Sequence, residues 1–212
     1  YKINLSWHQV TNQDANGQLL NRIANTKGLT TISPTWFSIS DTDGNISSLA
    51  SQSYVDYAHQ QGLEVWALVD NFKEGVSTYE TLSKTSSRPR LGDQVIAAAI
   101  HYGVGGINVE FGVITGDCGR AYIEFIRELS IMCRINGIVL SVDNYVPTAS
   151  SDHYSRDEQG IFADYVIIMG YDEHYAGSEE AGPVASYGFV ESGIRRTLEE
   201  VPAEKVINAV PF

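Results

Sequence analysis

The chain has 212 residues, 43% hydrophobic and 19% charged, an ordinary globular composition with enough length for one large core. Twelve tyrosines, seven phenylalanines and three tryptophans argue against disorder, because burying them offsets chain entropy. A net charge of -12 argues against nucleic acid and anionic membrane surfaces as partners, since both need clustered Lys and Arg, while a neutral ligand such as a glycan is compatible with it.

In chain order, the first strand candidate is Ile3–Trp7. The second is Leu29–Ile39, in which Pro34 must sit at an end or a bulge because proline cannot donate to a central ladder. Leu63–Asp70, Gly105–Phe111, Gly137–Tyr145, Asp164–Asp172 and Lys205–Phe212 follow. Several are near-continuous apolar runs, the pattern of parallel strands buried on both faces. Helices are expected between them. Residues 46–62 and 91–103 each end in glycine. Tyr122, Phe125, Ile126, Leu129, Met132 and Cys133 recur at helical spacing and Gly137 closes the stripe. Val190, Ile194, Leu198 and Val201 form another, stopped by Pro202.

Strands alternating with helices, joined by right-handed crossovers, predict a single-domain (β/α)8 TIM barrel over residues 1–212. No G-x-G-x-x-G follows the first strand, which disfavours a dinucleotide-binding sheet. The series stops at the seventh strand. The expectation is a barrel truncated there, with the missing segment supplied by chain outside this sequence or by a partner. The chain starts at Tyr1 rather than Met and shows no signal-peptide pattern, consistent with a processed or excised piece. No apolar run approaches the ~20 residues needed to span a bilayer, so no membrane insertion is expected. Cys118 falls in a loop and Cys133 on a helix face. Two free thiols is the simpler reading, a disulfide the other, and their spacing matches no metal-ligand pattern.

Polar and aromatic residues gather at the C-terminal strand ends, the face where barrels build their sites. They are Trp7 and His8, Trp36, Asp70 and Asn71, Asp143 and Asn144, and Tyr171 and Asp172. Aromatic planes there suit the apolar faces of sugar rings. The competing reading is that Trp7, Trp36 and Trp66 simply fill the barrel.

The segments GINVEF, LSVDNY and YVIIMGYDEHY resemble the family 18 glycoside hydrolases, which include chitinases. WHQV, SPTWF and KVINAVPF fit the same pattern, so the resemblance spans essentially the whole chain. The branch it looks closest to acts on bacterial envelope glycans of the spore-cortex or peptidoglycan type and often carries LysM modules. The resemblance implies a (β/α)8 fold, no metal and no cofactor, and an extracellular or cell-envelope location. It also implies cleavage beside N-acetylglucosamine with the substrate's acetamido oxygen as nucleophile, an exception to the two-carboxylate scheme.

The family's fourth-strand motif is D-x-x-D-x-D-x-E. Its last three acids share one strand face, because side chains two apart point the same way. The terminal Glu donates the proton. Laid onto this chain, the first position is Gly105 and the second Asn108. The third is Glu110 in place of Asp, and the acid position is Gly112. A two-residue step is roughly 6–7 Å and Glu is only one methylene longer than Asp, so Glu110 would sit too deep to replace the acid. Glu110 reads equally as a buried carboxylate held by neighbours such as Tyr171. MGYD matches the family's M-x-Y-D, which implies that Tyr171 bonds the acetamido carbonyl and Asp172 contacts the sugar. The expected site is therefore Glu110, Tyr171 and Asp172 for chemistry, with Trp7, Trp36, Asn108, Asp143 and Asn144 for binding. Two functions remain open: an impaired N-acetylglucosamine hydrolase, and an inactive chitinase-like glycan-binding or structural protein.

Overall fold

The computed structural model describes residues 2–211. Seven strands run parallel: β1 (Leu5–His8), β2 (Thr31–Ile39), β4 (Glu64–Asp70), β5 (Gly106–Glu110), β6 (Val139–Tyr145), β7 (Tyr165–Met169) and β8 (Val206–Ala209). They pair in that order, and β3 (Ile46–Ser48) adds antiparallel to β2. The helices are α1 (Leu19–Ile23), α2 (Gln52–Gln60), α3 (Thr78–Ser83), α4 (Ser87–Tyr102), α5 (Gly119–Asn136), α6 (Arg156–Phe162) and α7 (Tyr187–Glu200). Seven strands of a (β/α)8 barrel are thus present. Among the described residues no strand bridges β1 to β8. A cavity of about 460 Å³ lies along this open seam, lined by Leu5, Trp7, Ile167 and Ile207. Phe212, the last residue of the expected seventh strand, lies outside the described residues.

Strand parity divides the core into two layers. Val65, Ala67 and Val69 of β4, Ile107 and Val109 of β5, and Leu140 and Val142 of β6 face the helices and join one buried cluster. Tyr122, Phe125, Ile126, Leu129 and Cys133 of α5 pack into that same layer. Each Val, Leu, Ile or Phe side chain among them contributes roughly 1.5–3 kcal/mol by leaving water. Gly137 ends α5 at φ 66°, a left-handed cap that its missing Cβ permits. On the inner face, Trp66 stacks on Tyr165 at 5.6 Å. Cys118 and Cys133 are both buried free thiols.

Two expectations change. Residues 46–62 do not form one helix: Ile46–Ser48 pair with β2 and only Gln52–Gln60 are helical. The turn before β3 is organised by Asp41, whose carboxylate accepts from the Asp43 and Asn45 amides and the Asn45 side chain, and the Ile46 amide donates to Gln94 Oε1. These bonds hold the segment extended until Ser51 caps α2. Pro34 lies inside β2, not at its end, with a bulge just beyond it. Thr35 stands opposite Leu68 and Phe37 opposite Val69, so Trp36 is an extra residue in β2.

Candidate active site

The site is built on the inner face of β2, β4 and β5. Val109 faces the helices, so Asn108 and Glu110 face inward. Asn108 is fully buried and is the polar hub beneath the cleft. Its Oδ1 accepts from Trp7 Nε1–H at 2.9 Å and Ser33 Oγ at 3.3 Å. Its Nδ2 donates to Ser141 Oγ at 2.9 Å and Asp143 Oδ1 at 2.8 Å. Both donors and both acceptor sites are thereby used. Asp143 Oδ2 has no partner among the described residues. Burial pushes the Asp143 carboxyl well above the usual carboxylate range, with Glu110 adding to the shift and the Asn108 bond opposing it.

Above this hub opens a cavity of about 510 Å³, lined by Trp7, Trp36, Ser38, Asp70, Phe72, Glu110 and Tyr171 among others. Asp70 accepts from Ser38 Oγ at 2.7 Å and from the Phe72 amide at 3.1 Å. Burial, and secondarily the Asp70 charge, raises Glu110 to about 7. Burial also pushes the Tyr171 phenol upward, with Asp143 and Glu110 contributing. Trp36 reaches the cavity from the bulge, and its Nε1–H donates to Asn16 Oδ1 at 2.8 Å.

The expected site residues therefore separate. Trp7, Trp36, Glu110 and Tyr171 share one cavity. Asn108 and Asp143 do not line it. They lie below, where Asn108 has no bonding capacity left for a ligand. Asn144 is a correction: one step along β6 from Asp143, it points to the helix layer and exchanges hydrogen bonds with Gln159 of α6 at 2.7 and 3.0 Å. His8 turns outward in the same way, to the Tyr54 hydroxyl at 2.9 Å. Asp172 is exposed, at φ 63°, beyond the cavity wall. Among the described residues no three His, Cys, Asp or Glu side chains converge to hold a metal. No helix there is long and apolar enough to cross a membrane.

Phe72 and Tyr145 were not among the expected site residues. Phe72 lines the cavity, and Tyr145 shares strand parity with Asp143 and stands beside Gly112. The side chain of Asn71 clamps Gly112 from both sides, accepting from its amide at 2.9 Å and donating to its carbonyl at 2.8 Å. Only the parity of Tyr145 was readable beforehand. The Phe72 contact depends on how two loops meet.

No family profile matches the chain. It is 27% identical to the uncharacterized glycosylase YvbX of Bacillus subtilis, over 81% of this chain and 53% of YvbX. It is also 27% identical over 98% of its length to YdhD of the same organism, named as a sporulation-specific glycosylase, covering 51% of that protein. The YdhD crystal structure superposes with a TM-score of 0.79 over 84% of this chain and 62% of that one, at 26% identity. The C-terminal domain of a protein named as a chitinase, from Desulfitobacterium hafniense DCB-2, gives 0.88 over 100% of this chain and 66% of that one, at 20% identity. The fold is that of the chitinase-like glycoside hydrolases. The chain spans about half the length of the curated relatives it matches.

Proposed function

We propose that the chain is a family 18-type glycoside hydrolase domain whose cleft takes N-acetylglucosamine-containing glycans of the peptidoglycan or chitin type, with hydrolysis impaired. The observation that carries this reading is the pairing of an inward Glu110 and Tyr171 in one cavity with glycine at the position where the motif calls for the proton donor. The glycosylase and chitinase names of the relatives agree with the ligand class.

In this reading the acetamido oxygen of the sugar attacks its own anomeric carbon, and Tyr171 bonds the acetamido carbonyl. Glu110, raised to about 7, orients that group from below. The leaving oxygen lacks a positioned acid, because Gly112 offers no proton. Such an acid typically contributes 10²–10⁴-fold. The cell envelope is the proposed setting, with LysM modules as proposed neighbours in the parent protein.

A second reading, an inactive glycan-binding protein, is favoured by the Phe72 ring, which stands where a side chain at position 112 would begin. Incubation with N-acetylglucosamine oligomers and with peptidoglycan separates the two. Shorter products support the impaired enzyme. Binding without products supports the binder. Neither binding nor cleavage rejects both.

A further inference from the structure

Phe72 is an exposed large apolar side chain, 56% accessible. It follows Asp70 on the loop after β4, and its amide is pinned to Asp70 Oδ1 at 3.1 Å. Its ring lines the cleft and also a second cavity of about 410 Å³, formed by the loops after β4 and β5. It is the one residue shared by the two linings. The partition between the cavities is thus a single aromatic ring.

That ring stands over Gly112. A Cβ at 112 would lie 2.7 Å from Phe72 Cε1 and 3.1 Å from the Tyr145 hydroxyl. The first separation is one that real side chains do not show, so no other residue at 112 coexists with this position of the ring. The spacing of the two loops is fixed independently by the Asn71 clamp on Gly112, and Asn71 Nδ2 also donates to Thr78 Oγ1 at 2.9 Å. An apolar ring held open to solvent on a pinned backbone, with hydroxyl-matching groups on either side, fits a ligand with flat apolar faces and polar edges. Asp70 and Glu110 offer carboxyls in the first cavity and Thr78 and Thr115 offer hydroxyls in the second. The carboxyls disfavour an anionic ligand on that side.

We propose that Phe72 is a sugar-stacking platform that carries one ring of an N-acetylglucosamine oligomer across Gly112, so that neighbouring rings enter the two cavities. Gly112 is then required as glycine by the platform. This rests on the ligand class proposed above. The loss of the acid and the gain of a binding surface become one change, since the space an acid side chain would occupy is the space the ring fills.

The test is calorimetric titration of the protein with the N-acetylglucosamine monomer and tetramer. Phe72→Ala and Phe72→Leu should weaken tetramer binding about tenfold or more, the scale of one aromatic contact. Phe72→Trp should stay within about threefold, because it keeps a π face. Gly112→Ala should weaken it as Phe72→Ala does, by displacing the ring. Monomer binding should change less, so the gain from monomer to tetramer shrinks in the Ala and Leu variants. A merely structural role would not produce that length dependence. Tyr187→Ala, which removes another exposed aromatic outside both cavities, should leave binding unchanged. If the unmodified protein binds the tetramer and Phe72→Ala binds it equally well, the platform is overturned and the ligand class stands. If the unmodified protein binds neither sugar, both are overturned.

Discussion

Asp70 and Glu110 stand directly opposite each other at the ends of β4 and β5, and both line the same cavity. They are not equivalent. Asp70 receives two hydrogen bonds, from the Ser38 hydroxyl and the Phe72 amide. Glu110 is raised to about 7, by burial first and by Asp70 second. Of the two, Glu110 is the buried carboxyl whose titration moves up toward neutrality.

This asymmetry has a signed consequence for stability. The folded value of Glu110 exceeds its ordinary value of 4.5, so as pH rises the unfolded chain loses this proton first. The site costs nothing below about 4.5. The cost grows between that value and about 7, and is complete above it, at about 3 kcal/mol on a scale of 1.36 kcal/mol per pK unit. Glu110→Gln removes the titration. In urea unfolding, the variant should gain a few kcal/mol over the unmodified protein at pH 8 and much less at pH 5. An equal difference at both pH values would contradict the assignment.

Chemistry should return when the motif does. Gly112→Glu combined with Glu110→Asp should raise hydrolysis of N-acetylglucosamine oligomers by roughly 10²–10⁴-fold. The exposed Phe72 ring must swing aside for this. Gly112→Glu alone should gain less, because Glu110 would repel a second carboxylate nearby. Adding Tyr171→Phe to the double variant should remove most of the gain. Absence of any gain in a double variant that melts cooperatively would favour the binding protein.

The hub under the cleft should be expensive to break. Asn108→Ala leaves the Trp7 indole N–H and the buried Asp143 carboxyl without their partner. Each orphaned buried group costs about 1–3 kcal/mol, so unfolding free energy should fall by about 2–4 kcal/mol. A loss below about 1 kcal/mol, read from the urea midpoint at unchanged slope, would show that the hub is not holding these groups.

The β2–β3 turn should tolerate no side chain at Gly44. Its φ is +87°, and a Cβ there would come 2.1 Å from the Ser87 carbonyl oxygen on α4. Backbone cannot yield as a side-chain end can, so Gly44→Ala should cost about 2 kcal/mol or more. At about 2–4 °C per kcal/mol for a chain of this size, melting should drop by at least about 4 °C. An unchanged melting temperature would mean that the turn rearranges freely.

The parallel strands were legible because several are near-continuous apolar runs that alternate with helical stretches. The α5 stripe was legible because five of its six expected residues are buried. Ile46–Ser48 was not, since three residues carry no period of their own and their strand state depends on bonds from Asp41 and Gln94. Asp143 and Asn144 look alike in the sequence, because both are polar residues near a strand end. Period two already places them on opposite faces, and only Asp143 looks inward. The cavity shared by Trp7, Trp36, Glu110 and Tyr171 follows from strand order in a barrel. The Phe72–Gly112 contact does not, because it joins two loops far apart in sequence.

The extra residue in β2 also marks where this strand can be edited by insertion and deletion. Upstream of Trp36, Thr35 lies opposite Leu68. Downstream, Phe37 lies opposite Val69 and Ser38 opposite Asp70. The strand is a join of two reading frames, and Trp36 is the splice. Losing that residue would make Thr35 and Phe37 direct neighbours opposite Leu68 and Val69, the regular alternation of an unbulged strand, and would leave Ser38 opposite Asp70. What would go is the indole itself, with its bond to Asn16 and its part of the cleft wall. A lineage could thus drop residue 36 without rewriting Phe37 through Ile39, whereas a deletion at a matched position of β2 would turn its neighbours to the other face.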